Sequence, residues 1–596
     1  MDKQRQQPLN DATGALGAAV KRATGEARAL LEQVAACQPA NHSPLDPMGI
    51  FAGFQALGMR LMSDPVPFWW AQIDAARQGL AAWQQAFERT LGLERADTAP
   101  AIAGDKRFRD PEWNANPLFG FIKTTYQIYA NTLMRVAIGA DVLDDKTAHK
   151  VAFYTRQFVD AMAPTNFALT NPEVIRATIE SGGANLVEGL RNFLADVDPA
   201  TGQLRTSMVD KSGFRLGENI AASPGAVIFQ NELMQLLQYA PSTPQVHQRP
   251  LLIIPPWINK FYVLDLQPGN SFIRWAVGRG HTVFVISWVN PDASLRDKDF
   301  GDYMMHGPLA ALDAIAQATG EPDINAVGYC IGGTLLAATL AYMRANGDLR
   351  IRCATFFTTM LDFSEPGDLG VFIDEQQLSS LEQSMAKRGY LDGQEMASAF
   401  NLLRANDLIW SFVINNYLLG KSPAPFDLLY WNADSTRMPA CMHSTYLRNM
   451  YQDNRLCQPG GMSIAGTPLD LRAIELPTCF VSTLEDHIAP WKSTYQGAQL
   501  LGGDVKFILG KAGHVAGIIN PPGPRAYGHL EGPAPRTQSS DDWLAAAAAV
   551  PGSWWNTWDA WIASFTGDDV AARQPGDRML PVLEPAPGSY VKLRLE

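Results

Sequence analysis

The sequence predicts an α/β protein built on a mostly parallel sheet, with a mainly helical region before the sheet and a long insertion within it. Three observations predict this. Beyond residue 250, six short apolar runs rich in β-branched residues alternate with helical stretches: Leu251–Ile254, Thr282–Ser287, Ile324–Gly328, Ala354–Thr358, Thr478–Ser482 and Val505–Leu509. Parallel strands joined by crossover helices require that alternation, and burial on both faces makes each strand a nearly continuous apolar run. Between the fourth and fifth runs, residues 361–469 form an insertion of about a hundred residues, far beyond an ordinary connection. Before residue 211, aromatic and aliphatic side chains recur at helical spacing.

With 596 residues and 46% hydrophobic composition, the chain exceeds what one core sustains, so two regions are expected. These are a helical region over 1–210 and a catalytic domain over 211–596 that carries the 361–469 insertion as a lid. In the first region Phe51, Phe54, Leu57, Leu61, Phe68, Trp69, Ile73, Trp83 and Phe87 form a stripe. It is read first as core, with a docking surface for a partner or an apolar deposit as the alternative. Residues 95–106 read as a linker, and 116–194 as a second helical stretch. Near the end, Leu544–Val550 reads as helix, and Trp554, Trp555, Trp558 and Trp561 are candidates for core or for contact.

A net charge of −12 excludes a general nucleic-acid binder, which needs a basic face to displace counterions from phosphates. The six cysteines, at 37, 330, 353, 441, 457 and 479, form no CxxC pair and no dense disulfide framework, so a reduced, cytosolic protein is expected. No signal-peptide core and no uninterrupted run of 18 apolar residues is present, and no transmembrane segment is expected. The histidines show no metal-ligand spacing, so no metal is assigned.

The sharpest feature is Ile324–Gly333, INAVGYCIGG, followed by a helical stretch from Thr334. A strand ends, small residues enclose one nucleophilic side chain, and a helix begins. This is the G-x-nucleophile-x-G elbow of an α/β-hydrolase fold, with Cys330 where hydrolases carry serine. Its glycines are needed because the turn brings neighbouring backbones too close for side chains. The helix N-terminus favours a thiolate and a developing oxyanion, and the Ile331 N–H is the natural first oxyanion donor. The second is expected from the Pro255–Asn259 loop after the first run, Ile258 first and Trp257 as the neighbouring alternative. Trp257 is also placed among the substrate-binding residues.

In this fold the nucleophile is followed by an acid and then a histidine. Asp486 lies just past the run Thr478–Ser482, and His514 just past Val505–Leu509, at the strand ends where such sheets keep their chemistry. His487, beside Asp486, is read as either a substrate contact or a local structural hydrogen bond.

The segment GYCIGG from Gly328 resembles the G-x-C-x-G-G box of class I polyhydroxyalkanoate synthases. So do PPWINKFYVLDLQPGNS from Pro255, SWVNPDAS from Ser287, NDLIWSFVINNYLLGKSPAPFDLLYWNADSTRMP from Asn406, EDHIAPW from Glu485, GHVAGIINPP from Gly513 and EPAPGSYV from Glu584. The resemblance spans about residues 105–596. It implies an acyltransferase that polymerises (R)-3-hydroxyacyl-CoA, 3-hydroxybutyryl-CoA first among substrates, with release of CoA and no cofactor. Carried over by position, Cys330 is the acylated nucleophile, His514 its base and Asp486 the third member. Ala516, two residues after His514, is expected to face the acyl pocket, since the matching position influences monomer length in similar enzymes. The family further implies an active homodimer in the cytoplasm, attached to the growing polyester chain and to the granule surface.

Cysteine suits this chemistry, because exchanging one thioester for another keeps the acyl group activated for attack by the 3-hydroxyl of the next unit. Either His514 or Asp486 could deprotonate that hydroxyl. A thiol needs less help than a serine hydroxyl, so Asp486 is expected to serve chiefly the substrate. Two rival readings share these residues: a cysteine-dependent thioesterase or hydrolase, and a non-catalytic granule-binding scaffold.

Overall fold

The computed structural model describes residues 66–91, 105–138, 144–199, 202 and 204–594, so the linker reading falls mostly, and the stripe from Phe51 to Leu61 wholly, outside the described residues. The chain divides into two compact units, 1–210 with 400–424, and 211–399 with 425–596.

The first unit is helical: α1 (Val66–Thr90), α2 (Pro117–Ile138), α3 (Asp145–Ala161), α4 (Pro172–Glu180) and α5 (Ala184–Asp196). Local capping sets the starts. The Asp144 carboxylate accepts from the Thr147 N–H at α3, and Asn171 caps α4 with Pro172 in the first turn, where a missing N–H costs nothing. On α1 the buried face is Ala71, Ala75 and Ala82, while Ile73, Trp83 and Phe87 are exposed. The described part of the aromatic stripe is thus surface, which corrects its reading as core. Small residues let α1 lie close to α2, and the larger rings are left outside.

Residues 400–424, read from sequence as part of the lid, belong to this unit. A side chain at Gly189 on α5 would meet the Tyr417 carbonyl oxygen at 1.9 Å, so only glycine admits the crossing. Around it, Asn185 donates to the Leu418 carbonyl at 2.8 Å, Asn416 to the Ser207 carbonyl at 2.7 Å, and the Tyr417 hydroxyl to Asp196 at 2.7 Å. Buried polar groups satisfied this way fix one register.

The second unit is organised by an 11-stranded sheet of order β10-β9-β8-β7-β6-β5-β3-β4-β2-β1-β11. Its strands are β1 (Gly225–Gln230), β2 (Met234–Tyr239), β3 (Leu251–Ile254), β4 (Val283–Trp288), β5 (Ile324–Tyr329), β6 (Ile351–Phe357), β7 (Thr478–Thr483), β8 (Val505–Gly510), β9 (His529–Pro533), β10 (Ala548–Val550) and β11 (Glu584–Pro585). The six central strands from β8 to β4 are parallel, and they are the six apolar runs of the sequence. Antiparallel strands extend both sides. The stretch Leu544–Val550 is split, a helix ending at Ala546 and strand β10 beginning at Ala548, because pairing with β9 overrides alanine's helix preference.

The elbow helix α6 (Ile331–Ala345) follows β5 directly and lies almost wholly buried against the sheet. Within the insertion, α7 (Glu375–Arg388) and α8 (Ala440–Tyr446) belong to this unit, and α8 runs into a π-helical turn, Leu447–Gln452. Arg448 in that turn pairs with Glu382 at 2.6 Å and Glu375 at 2.9 Å, both on α7. Helix α9 (Trp554–Ile562) buries Trp554, Trp555 and Trp558 as core. Among the described residues no helix is long and apolar enough to cross a membrane.

Candidate active site

Cys330 sits between β5 and α6 with φ 54° and ψ −125°, a left-handed backbone region that a side-chain-bearing residue adopts only under constraint. The constraint is visible around it. A Cβ on Gly328 would meet Gly333 Cα at 2.4 Å, one on Gly332 the Ile254 carbonyl oxygen at 2.2 Å, and one on Gly333 the Thr359 hydroxyl at 2.0 Å. The Cys330 N–H donates to the Phe357 carbonyl at 2.9 Å, tying the elbow to β6. Three close approaches thus demand the three glycines. The strain, on the order of 1–3 kcal/mol, is held by the surrounding sheet.

Past the elbow, Ile331 opens α6 and its N–H has no acceptor among the described residues. That leaves the N–H free to receive an oxyanion. The Ile254–Asn259 loop abuts the elbow at Gly332, and its carbonyls are occupied. Trp288 Nε1 donates to the Pro255 oxygen at 2.9 Å, and Thr436 Oγ1 lies 2.5 and 2.6 Å from the oxygens of Trp257 and Ile258. The N–H groups of Trp257 and Ile258 have no acceptor among the described residues, so either can supply a second donor. The Trp257 side chain is buried in the core against Trp288 and Tyr303, with Nε1 directed at Met442 sulfur at 3.2 Å. Its indole packs the loop and does not stand open to a substrate.

Asp486 and His514 are brought together from the ends of β7 and β8. His514 Nδ1 donates to Asp486 Oδ2 at 2.7 Å, while Asp486 Oδ1 accepts the N–H groups of Ile488 and Ala489 at 2.9 and 2.8 Å. The carboxylate side chain is 0% exposed. The imidazole stacks on Tyr329, whose hydroxyl donates to the His514 carbonyl at 3.2 Å. Below, helix α9 grips the same loop: Trp554 and Trp555 donate their indole N–H groups to the carbonyls of Gly517 and Ile518, each at 2.9 Å. The C-terminal tryptophans thereby hold the histidine loop in place.

Burial pulls the His514 pKa down, but the charges of Asp486 and Cys330, and hydrogen bonding to both, outweigh it and push it up to about 10. The imidazolium therefore stabilises the fold in full below about pH 6.5, and that contribution is lost as pH rises through about 10. Wild type and His514→Gln should differ most in Tm near pH 6 and converge toward pH 10. A difference that widens with pH would contradict this coupling.

His487 is half-buried beside Asp486. Ala516 is exposed on the turn after His514.

Sequence reasoning missed Tyr446 and Tyr451. They lie five residues apart across the α8–π junction, and a π-helical turn aligns that spacing on one face. Their rings meet edge-on at 5.5 Å and their hydroxyls hydrogen-bond. Burial raises both phenols, and the charge of Cys330 adds to each, so the insertion brings both tyrosines within electrostatic reach of the sulfur. The signal that could have found them is the aromatic spacing in TYLRNMY.

The arrangement provides a nucleophile at a helix N-terminus, a base held by a carboxylate, and backbone N–H groups for an oxyanion. The family model described as the α/β hydrolase fold matches residues 249–521, and that described as the poly-beta-hydroxybutyrate polymerase (PhaC) N-terminus matches 104–276. The chain is 49% identical to the poly(3-hydroxyalkanoate) polymerase of Methylorubrum extorquens, over 89% of this chain and 88% of that one. It is likewise 49% identical to the polymerase subunit PhaC of Rhizobium meliloti (strain 1021), over 89% and 87%. Against the PhaC subunit of Cupriavidus necator, identity is 42%, over 82% of this chain and 83% of that one. At that identity and coverage, with an elbow, acid and histidine assembled on the matched fold, this chain belongs to the poly(3-hydroxyalkanoate) polymerase family.

Proposed function

We propose that this enzyme polymerises (R)-3-hydroxyacyl-CoA, 3-hydroxybutyryl-CoA first among substrates, into polyester with release of CoA, through a thioester on Cys330. The observation that carries the reading is the elbow cysteine in left-handed backbone facing a hydrogen-bonded His514–Asp486 pair.

In the acylation step the Cys330 thiolate attacks the thioester carbonyl. The oxyanion is received by the N–H of Ile331 and of Ile258 or Trp257, CoA leaves as a thiolate, and the His514 imidazolium supplies its proton. In the transfer step the 3-hydroxyl of another unit attacks the Cys330 thioester, His514 takes the hydroxyl proton, and as the new ester forms the C–S bond breaks and Cys330 leaves as the thiolate. Both oxygens of Asp486 are engaged and its side chain is buried, which supports His514 as the base in both steps and Asp486 as its orienter. That reading reverses the expectation that Asp486 serves chiefly the substrate.

Polymer synthesis over hydrolysis requires that water be kept from the acyl-enzyme. Tyr446, Tyr451 and Phe363, packed ring to ring, with the two tyrosines in electrostatic reach of Cys330, support exclusion. The family also supports an active homodimer, located in the cytoplasm at the surface of polymer granules. Purified protein given (R)-3-hydroxybutyryl-CoA should release CoA and form insoluble polyester. Release of CoA with only soluble hydroxy acid would identify a hydrolase and overturn the proposal.

A further inference from the structure

The loop that offers the second oxyanion donor ends at a buried cation. Lys260 Nζ lies 2.7 Å from Asp434 Oδ1, with side-chain exposures of 3% and 4%. The same ammonium donates to the carbonyls of Val591 at 2.8 Å and Leu593 at 2.6 Å, so its three donors meet three acceptors. Asp434 is held in turn by the Tyr262 hydroxyl at 2.8 Å, and Trp431 donates to the Lys260 carbonyl at 2.7 Å. Arg594 sits over the Tyr430 ring at 4.6 Å and 3.8 Å from Asp434. Three segments distant in sequence thus converge on one side chain: the oxyanion loop, the stretch Trp431–Asp434 within the insertion, and the last described residues.

Burying this pair is an expensive way to gain stability. Desolvating each ion costs several kcal/mol, and an apolar substitute of the same shape often does as well. What a fully satisfied buried ion fixes is position. Lys260 is one residue beyond Asn259, which forms a bridge with Ser435, and two beyond Ile258, whose carbonyl is engaged by Thr436. The carbonyl side of the loop is clamped to Ser435 and Thr436 of the insertion, and Lys260 clamps the loop's end to the tail, leaving the N–H groups of Trp257 and Ile258 with no acceptor among the described residues.

We propose that Lys260 is a positioning residue for acyl transfer, which holds the second oxyanion donor in place by anchoring its loop to the carboxy-terminal segment Val591–Leu593 and to Asp434. This rests on the reading of Cys330 as the acyl acceptor. The tail is then part of the catalytic apparatus at one remove, although it contributes no group to the reacting atoms.

The test separates a misplaced oxyanion donor from a damaged nucleophile. Alkylation of Cys330 by iodoacetamide builds no oxyanion, whereas acylation by 3-hydroxybutyryl-CoA does. In Lys260→Met, and in a chain truncated after Lys592, single-turnover acylation should fall about tenfold to a hundredfold, the scale of losing or displacing one oxyanion donor. KM and the alkylation rate should stay within about twofold, and Lys260→Arg should recover part of the loss. If Lys260→Met does not fold, the truncated chain decides. Unchanged acylation, or acylation and alkylation falling together, would overturn the proposal. A wild-type protein that is alkylated at Cys330 but never acylated would instead overturn the functional reading on which this one rests.

Discussion

Cys330→Ala is expected to abolish CoA release and to leave no acylated protein in intact-mass analysis. Removing the nucleophile of a hydrolase with an analogous triad costs about a millionfold in kcat, the scale expected here. The other described cysteines offer no substitute. Cys353 and Cys479 are buried in β6 and β7, and burial pushes both thiols up, away from the thiolate. Burial likewise raises Cys441, with Asp299, Asp297 and Asp302 adding to it, and Cys457, with Asp362 adding to it. Cys37 lies outside the described residues. Only Cys330 among those described combines a helix N-terminus, an adjacent imidazole and a free neighbouring N–H, the setting a reactive thiolate requires. Acylation persisting in the Cys330→Ala protein would sink the assignment of nucleophile.

What could be read from sequence follows from what each element needs. Strands β3 to β8 were legible because burial on both faces writes them as short runs dominated by apolar and β-branched residues. The antiparallel flanks were not. Strand β11 is only Glu584–Pro585, where proline is tolerated because the strand lies at the edge, and β10 is an alanine run that reads as helix. The elbow was legible because three close approaches of 2.0–2.4 Å, two to backbone and one to the Thr359 hydroxyl, leave glycine no alternative. The insertion was visible by length, but its division was not. Residues 400–424 join the helical unit through hydrogen bonds to backbone carbonyls, which carry no residue-type signature. Tyr446 and Tyr451 escaped because a spacing of five is meaningless in an α-helix and becomes one face only in the π-helical turn.

Asp486→Asn is expected to lower the acylation burst and steady-state CoA release together. An asparagine whose amide N–H faces His514 Nδ1 can no longer accept its proton, so the imidazole turns to the wrong tautomer, or loses its hold altogether. The same exchange in a serine protease costs about 10⁴. Here the loss should be smaller, about 10²–10³, because a thiol gives up its proton more readily than a serine hydroxyl. The geometry argues against a separate role for Asp486 toward the substrate hydroxyl. Oδ2 is committed to His514, Oδ1 to two backbone N–H groups, and the side chain is 0% exposed, so no lone pair is presented to an incoming unit. The raised pKa of His514 depends on the same carboxylate, and its removal should also shift the high-pH limb of kcat/KM downward from about 10. Rapid-quench measurement separates the steps. A full acylation burst followed by slow CoA release would mean that Asp486 acts on the hydroxyl after all, and that His514 serves the sulfur without it.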